Sequence, residues 1–158
     1  MRTPTERPPT LSPLKIRQLA LFRYNLRQFL RFSEKAARAA GITPQQYQLM
    51  LGVWGFSGRG WATISELAEF LQERHNAVVG LVDRAQRRGL ITKKIMPRDH
   101  RFVRVELTAP GKRVMLDLAA LHRTELAKFE RKISVALAPA LKSPAMKRYR
   151  AANDGVDR

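Results

Sequence analysis

The chain has 158 residues, 44% of them hydrophobic, with no cysteine and a formal net charge of +17 from 30 Lys and Arg against 13 Asp and Glu. That length and apolar content suit one compact unit with a real core and exclude a disordered chain. The missing cysteine excludes disulfides, thiolate metal sites, cysteine nucleophiles and thiol redox sensing; the charge calls for a polyanionic partner or surface but does not by itself identify a fold.

Residues 1–11 hold three prolines and little apolar content and read as a mobile arm. They contain no apolar core of the kind a secretory signal needs, and no run in the chain approaches the ~18 apolar residues of a membrane span. A cytoplasmic protein is expected. Ser12-Pro13 is a helix-start signal, and Leu14, Leu19, Phe22, Leu26, Phe29, Leu30 and Ala37 recur mostly at three, four or seven. One long helix over about 13–40, stopped by Gly41, follows. It carries seven basic residues against the single Glu34.

Thr43-Pro44 opens a second helix, with Tyr47, Met50, Leu51 and Trp54 at i, i+3, i+4 and i+7. It runs into GFSGRG, whose glycine spacing is neither GxGxxG nor a P-loop and reads as a linker. Thr63 and Glu66 then form a capping box for a third helix with the stripe Ile64, Leu67, Ala68 and Leu71. A fourth helix over about 74–88 points Val78, Leu81, Val82 and Ala85 inward and ends at Gly89. Strands over about 90–95 and 102–107 follow, the second alternating Val103, Val105 and Leu107 with Phe102, Arg104 and Glu106. Thr108 caps a fifth helix over about 109–134, and Ser143-Pro144 starts a last basic helix.

Two short helices, a hairpin with a basic tip and a returning strand form the order of a winged helix-turn-helix. The expected fold is mainly α with a small β-hairpin wing: a winged unit over 43–108, flanked by dimerisation helices over 12–40 and 109–152. Recognition helices read bases chiefly with their N-terminal part. On the outward face of the fourth helix this selects His75, Asn76, Ala77 and Gly80, with Ser65 beside them on the third. Asn can pair bidentately with adenine, Ala can touch a thymine methyl, and Gly80 would let the helix lie close to the groove floor. Arg87, further along, suits a phosphate. Residues 63–89 carry no net charge, four acids offsetting four arginines, so the basic excess lies around the reading helix. At the wing, Arg98, Asp99, His100, Arg101 and Arg104 cluster around the tip. Helix pairs of this kind also occur in proteins that never touch DNA; the basic hairpin directly after the pair favours DNA.

The segments ISELAEFL, VVGLVDRAQRRGLI and RDHRFVRVELTAPG resemble the MarR family, the multiple antibiotic resistance regulators, which are winged-helix homodimeric bacterial transcription factors. The sharp match covers about 64–111, and the element order matches over nearly the whole chain. The resemblance implies that Arg101 enters the minor groove and that Asp99 orients its guanidinium. An Arg fits the negative potential of a narrow minor groove, and a fixed fork loses less entropy on binding. It also implies, for some members, response to small aromatic acids between the dimerisation helices and the winged unit. Gly80, Asn76 and Ala77 depart from the residues many relatives carry, which bears on the operator rather than the fold.

Phe22, Tyr47 and Trp54, with Phe29, either line such an effector pocket or pack the core and dimer. The arginine-rich first helix is either a phosphate-gripping surface or a solvated face. His75, His100 and His122 lack a second ligand at metal spacing, and no catalytic arrangement stands out, so neither a cofactor nor an enzyme is expected. The reading is a homodimeric regulator, repressing transcription at a pseudo-palindromic double-stranded DNA operator. A nucleoid protein without sequence choice is the alternative that the charge permits.

Overall fold

The computed structural model describes residues 12–56, 58–96 and 99–141, and the side chains of 12–56, 58–95 and 103–135. The expected start at Ser143-Pro144 and the side chains around the wing tip lie outside these. Two compact units result: residues 31–124, and the described parts of 1–30 and 125–158. The elements are α1 (Pro13–Ala39), α2 (Pro44–Leu51), a π-helical turn (Gly52–Phe56), β1 (Trp61–Thr63), α3 (Ile64–Leu71), α4 (His75–Arg87), β2 (Ile91–Met96), β3 (Asp99–Leu107) and α5 (Ala109–Leu141).

The local signals work through the backbone groups that helices leave unpaired. Thr43 and Gln46 satisfy the start of α2 reciprocally, as Thr63 and Glu66 do for α3. α4 ends in a left-handed Gly89 (φ 69°), with Leu90 N donating to Ala85 O at 3.0 Å. α3 ends the same way on a non-glycine residue, Gln72 (φ 54°).

The core of residues 31–124 gathers Leu49, Met50 and Val53 near α2, Leu67 from α3, the stripe Val78, Leu81, Val82 and Ala85 from α4, and Met115 and Leu118 from α5. Fully burying one such Leu or Val contributes roughly 1.5–3 kcal/mol. One expected core position moved. Trp54, at helical spacing from Tyr47, is 37% exposed, and Val53 is buried instead. The helix widens to i→i+5 bonding at Gly52, which changes the phase of the stripe. A Cβ at Gly52 would lie 2.7 Å from the Phe70 ring, so the missing side chain lets this turn press against α3.

The sheet has the order β1-β3-β2 and is antiparallel throughout. Ala62 pairs with Val105, and Ile91 with Leu107, placing Ala62, Val105 and Ile91 on the core side. Register shifts between Ile95 and Met96, so the irregularity sits at the distal end of the wing. In the other unit, Phe29 meets Phe129 at 5.4 Å between ring centroids, and Lys132 Nζ donates to Gln28 Oε1 at 3.2 Å.

Candidate nucleic-acid interface

α3 and α4 are set by their termini. Glu66 Oε2 accepts from Thr63 N at 2.8 Å, and its other oxygen accepts from Arg59 Nη2 at 2.5 Å. The Thr63 backbone bond, assisted by Arg59, holds the Glu66 carboxyl below the usual carboxylate range. α4 begins differently. Its N-cap, Arg74, makes no side-chain cap hydrogen bond, so the first N–H groups of α4 have no acceptor from that residue.

His75, Asn76 and Ala77 are exposed in the first turn of α4, Gly80 is half-buried one turn on, and Arg87 is exposed near its end. Ser65 is exposed on α3. The reading residues selected by sequence are therefore open or partly open on α3 and α4. Gly80 behaves differently from expectation in one respect. A Cβ there would lie 3.3 Å from the Arg84 guanidinium, so the end of Arg84 already lies over Gly80.

The charged residues of α4 have different partners. Asp83 faces the wing, where Lys93 Nζ donates to it at 2.6 Å and holds its carboxyl low. Arg84, Arg87 and Arg88 line a recess together with Arg38 of α1.

The wing departs further. Arg104 is not a tip residue: it stands in β3 opposite Lys94 and Thr63, stacks on Trp61 and pairs with Glu106. Two guanidinium groups approach Trp61, Arg59 at 4.0 Å and Arg104 at 4.6 Å from its ring centroid. Lys94 also donates to Glu106 at 2.8 Å, and this bond first, then Arg104, holds the Glu106 carboxyl low. Each exposed cation–π contact adds ~0.5–1 kcal/mol and each surface ion pair ~0–1 kcal/mol. The network braces the wing stem. Sequence reasoning missed it because β1 has three residues, too few for alternation to show, directly behind a glycine-rich loop. Asp99 and Arg101 lie in β3, with Asp99 in register with Met96; Arg98 lies outside the described residues.

The aromatic residues have separate surroundings. Tyr47 is 2% exposed and packs at 4.9 Å on the His122 ring, which also meets Phe32 edge-on at 5.3 Å. Burial pushes the Tyr47 phenol up. His122 is a core residue with Nδ1 2.6 Å from Leu118 O. Trp54 lies under Lys112 Nζ, 4.1 Å from the ring centroid. Phe22 is half-buried on α1. Among the described residues, no three His, Cys, Asp or Glu side chains stand close enough to hold a metal ion.

The winged helix defined by these elements has the fold of a known class. AbsC of Streptomyces coelicolor, a MarR family transcriptional regulator, is 18% identical, with a TM-score of 0.68 over 91% of this chain and 99% of that one. Another MarR family transcription regulator is 26% identical, with a TM-score of 0.67 over 87% of this chain and 91% of that one. The S. aureus MepR–DNA complex is 18% identical, with a TM-score of 0.63 over 85% of this chain and 97% of that one. No protein-family model and no curated protein matches the sequence. The structure supports the MarR-family resemblance: the chain has the winged-helix fold of these transcription regulators.

Proposed function

We propose that this protein is a homodimeric, sequence-specific double-stranded DNA-binding regulator of transcription, acting as a repressor by occupying a pseudo-palindromic operator. One observation carries the reading: the exposed first turn of α4, with His75, Asn76 and Ala77, flanked by α3 and by a braced basic wing. The MepR structure holds DNA, which supports the same partner for this fold. Asn76, Ala77, His75 and Gly80 meet base edges, Ser65 and Arg87 meet phosphates, and Arg98 and Arg101 work at the wing with Asp99 orienting Arg101.

Dimerisation uses 12–40 and 109–152. On α1, Leu14, Ile16, Leu19 and Tyr24 are each more than half exposed; on α5, Leu121 is 57% and Val135 77% exposed. Large apolar side chains left open along two helices suit a subunit interface. Two-fold pairing then places two α4 helices one turn of DNA apart. A small aromatic acid, if it is an effector, acts by preferring a dimer with wrongly spaced α4 helices. No helix among the described residues is long and apolar enough to cross a membrane, and the working place of this function is the cytoplasm.

Selection of bound duplexes from random sequence, with sedimentation at micromolar protein, tests the reading. A dimer that enriches one pseudo-palindrome supports it. A monomer, or a nucleoid-like binder that enriches nothing, overturns it.

A further inference from the structure

The far end of α4 holds a feature that base reading does not use. Arg84, Arg87 and Arg88 meet Arg38, Gly41, Ile42, Thr43 and Gln46 around a recess of about 600 Å³. No acid lines it. The acid of α4, Asp83, is paired with Lys93 and also feels the charge of Arg87. Arg88 Nη2 donates to Gly41 O at 2.6 Å, which fixes one guanidinium at the edge and ties the end of α4 to the turn after α1. Arg38 stands in the last turn of α1, and Arg84 and Arg87 in the last turn of α4. Helix dipoles favour cations there, which accounts for basic residues at each end but not for their convergence on one concavity. Arg84 repels Arg87 at i+3 and Arg88 at i+4 unless an anion lies between them. The four arginines line this recess beside the Thr43 hydroxyl and the Gln46 amide, with the end of Arg84 reaching back over Gly80 and Arg88 tied to Gly41 O, and planar forks of this kind bind phosphate oxygens bidentately.

We propose that this recess is a phosphate site, filled either by the DNA backbone beside the bases that α4 reads or by a free phosphate ester. Only the first source rests on the proposed function. The two share one recognition chemistry, and its consequence is the same: occupancy is felt directly by α4.

The test uses the full chain and two paired variants. Arg38→Gln with Arg84→Gln removes two recess cations and leaves Arg87 and the Arg88–Gly41 tie. Arg113→Gln with Arg123→Gln removes equal charge from exposed positions on α5, and sedimentation of both pairs checks that each keeps the oligomeric state of the parent before binding is compared. Binding of tripolyphosphate is measured by calorimetry, and binding of a random-sequence duplex by titration across salt concentrations. The recess pair should weaken tripolyphosphate at least tenfold, or lower the log–log salt slope by about 0.9 for each phosphate that is no longer neutralised, while the α5 pair leaves both near the parent. A change confined to the slope assigns the recess to DNA; one confined to tripolyphosphate assigns it to a free ester. Equal effects of both pairs, or none from either, overturn the site. If the Gln pair does not fold, Arg38→Lys with Arg84→Lys keeps the charge and removes the forks, and unchanged binding in both arms overturns it. A parent that binds tripolyphosphate but no DNA refutes the proposed function and leaves the recess standing; one that binds neither refutes both.

Discussion

Gly111→Ala separates geometry from helix propensity, because the two give opposite signs. Gly111 lies in the first turn of α5, where Ala is favoured over Gly by at most ~1 kcal/mol. A Cβ there would fall inside contact distance of the Leu90 carbonyl oxygen and 2.8 Å from its carbon. These are backbone atoms, and they are held. Leu90 O accepts from Thr108 N at 3.1 Å, Leu90 N donates to Ala85 O at 3.0 Å, and Thr108 Oγ1 bonds both Gly89 O and Gly111 N. No side-chain rotation relieves the overlap, so the start of α5 must move off the start of β2. Overpacking of this kind costs ~1–3 kcal/mol and sometimes more, and the upper part of that range applies when backbone is the obstacle. After the propensity gain, a net loss of about 2 kcal/mol is expected, or roughly 4–8 °C in Tm for a chain of this size. Gly80→Ala is the internal comparison, since its Cβ meets only the flexible end of Arg84. It should gain up to ~1 kcal/mol. Urea and thermal unfolding of both variants read the difference. Gly111→Ala as stable as the parent would refute the close approach of Leu90.

Gly80→Ala should also weaken DNA binding despite its added stability, because the methyl and the displaced Arg84 stand α4 off the groove; an affinity equal to the parent's would remove Gly80 from the interface. Asn76→Ala should relax preference at one base position and cost ~1–3 kcal/mol per half-site, whereas Arg87→Ala should weaken all sequences alike and flatten the salt dependence; repeated site selection checks this, and an unchanged consensus for Asn76→Ala would reverse the facing of α4. At the wing, Arg101→Ala should cost more than Arg98→Ala, and Asp99→Asn should weaken operator binding although it makes the protein more positive; tighter or equal binding by Asp99→Asn and Asp99→Ala would leave Asp99 a turn residue. The Glu66 carboxyl is held low by Thr63 N and Arg59, so its contribution is present above the ordinary carboxylate pKa and is lost as pH falls through the lower folded value. Glu66→Gln should therefore lose less stability than the parent as pH falls through and below the ordinary carboxylate range, as unfolding at a series of pH values would show.

Local chemistry was the legible part of this fold. The Thr63–Glu66 box, the Gly41 and Gly89 stops and the inward stripe of α4 are short-range signals, and each is where periodicity placed it. The Thr108-x-x-Gly111 pattern was visible, but its reason, a backbone approach from Leu90, depends on a partner 21 positions away. Nonlocal pairings were invisible. β1 pairs with β3 across more than 40 residues, and without that pairing Trp61 and Arg104 gave no hint of stacking. Trp54 failed because the helical period assumed α geometry through a π turn. The recess was hidden because Arg38 joins the arginines of α4 only through the turn at Gly41.

Hydroxyl-radical footprinting of the protein on its selected duplex tests the central claim most directly. Two symmetric protected half-sites with centres ~10 bp apart, each with an added minor-groove cut-off from the wing that disappears in Arg101→Ala, are the predicted result. Uniform protection without a two-fold centre, or protection no different from that on a scrambled duplex, would contradict a dimer that reads DNA with α4.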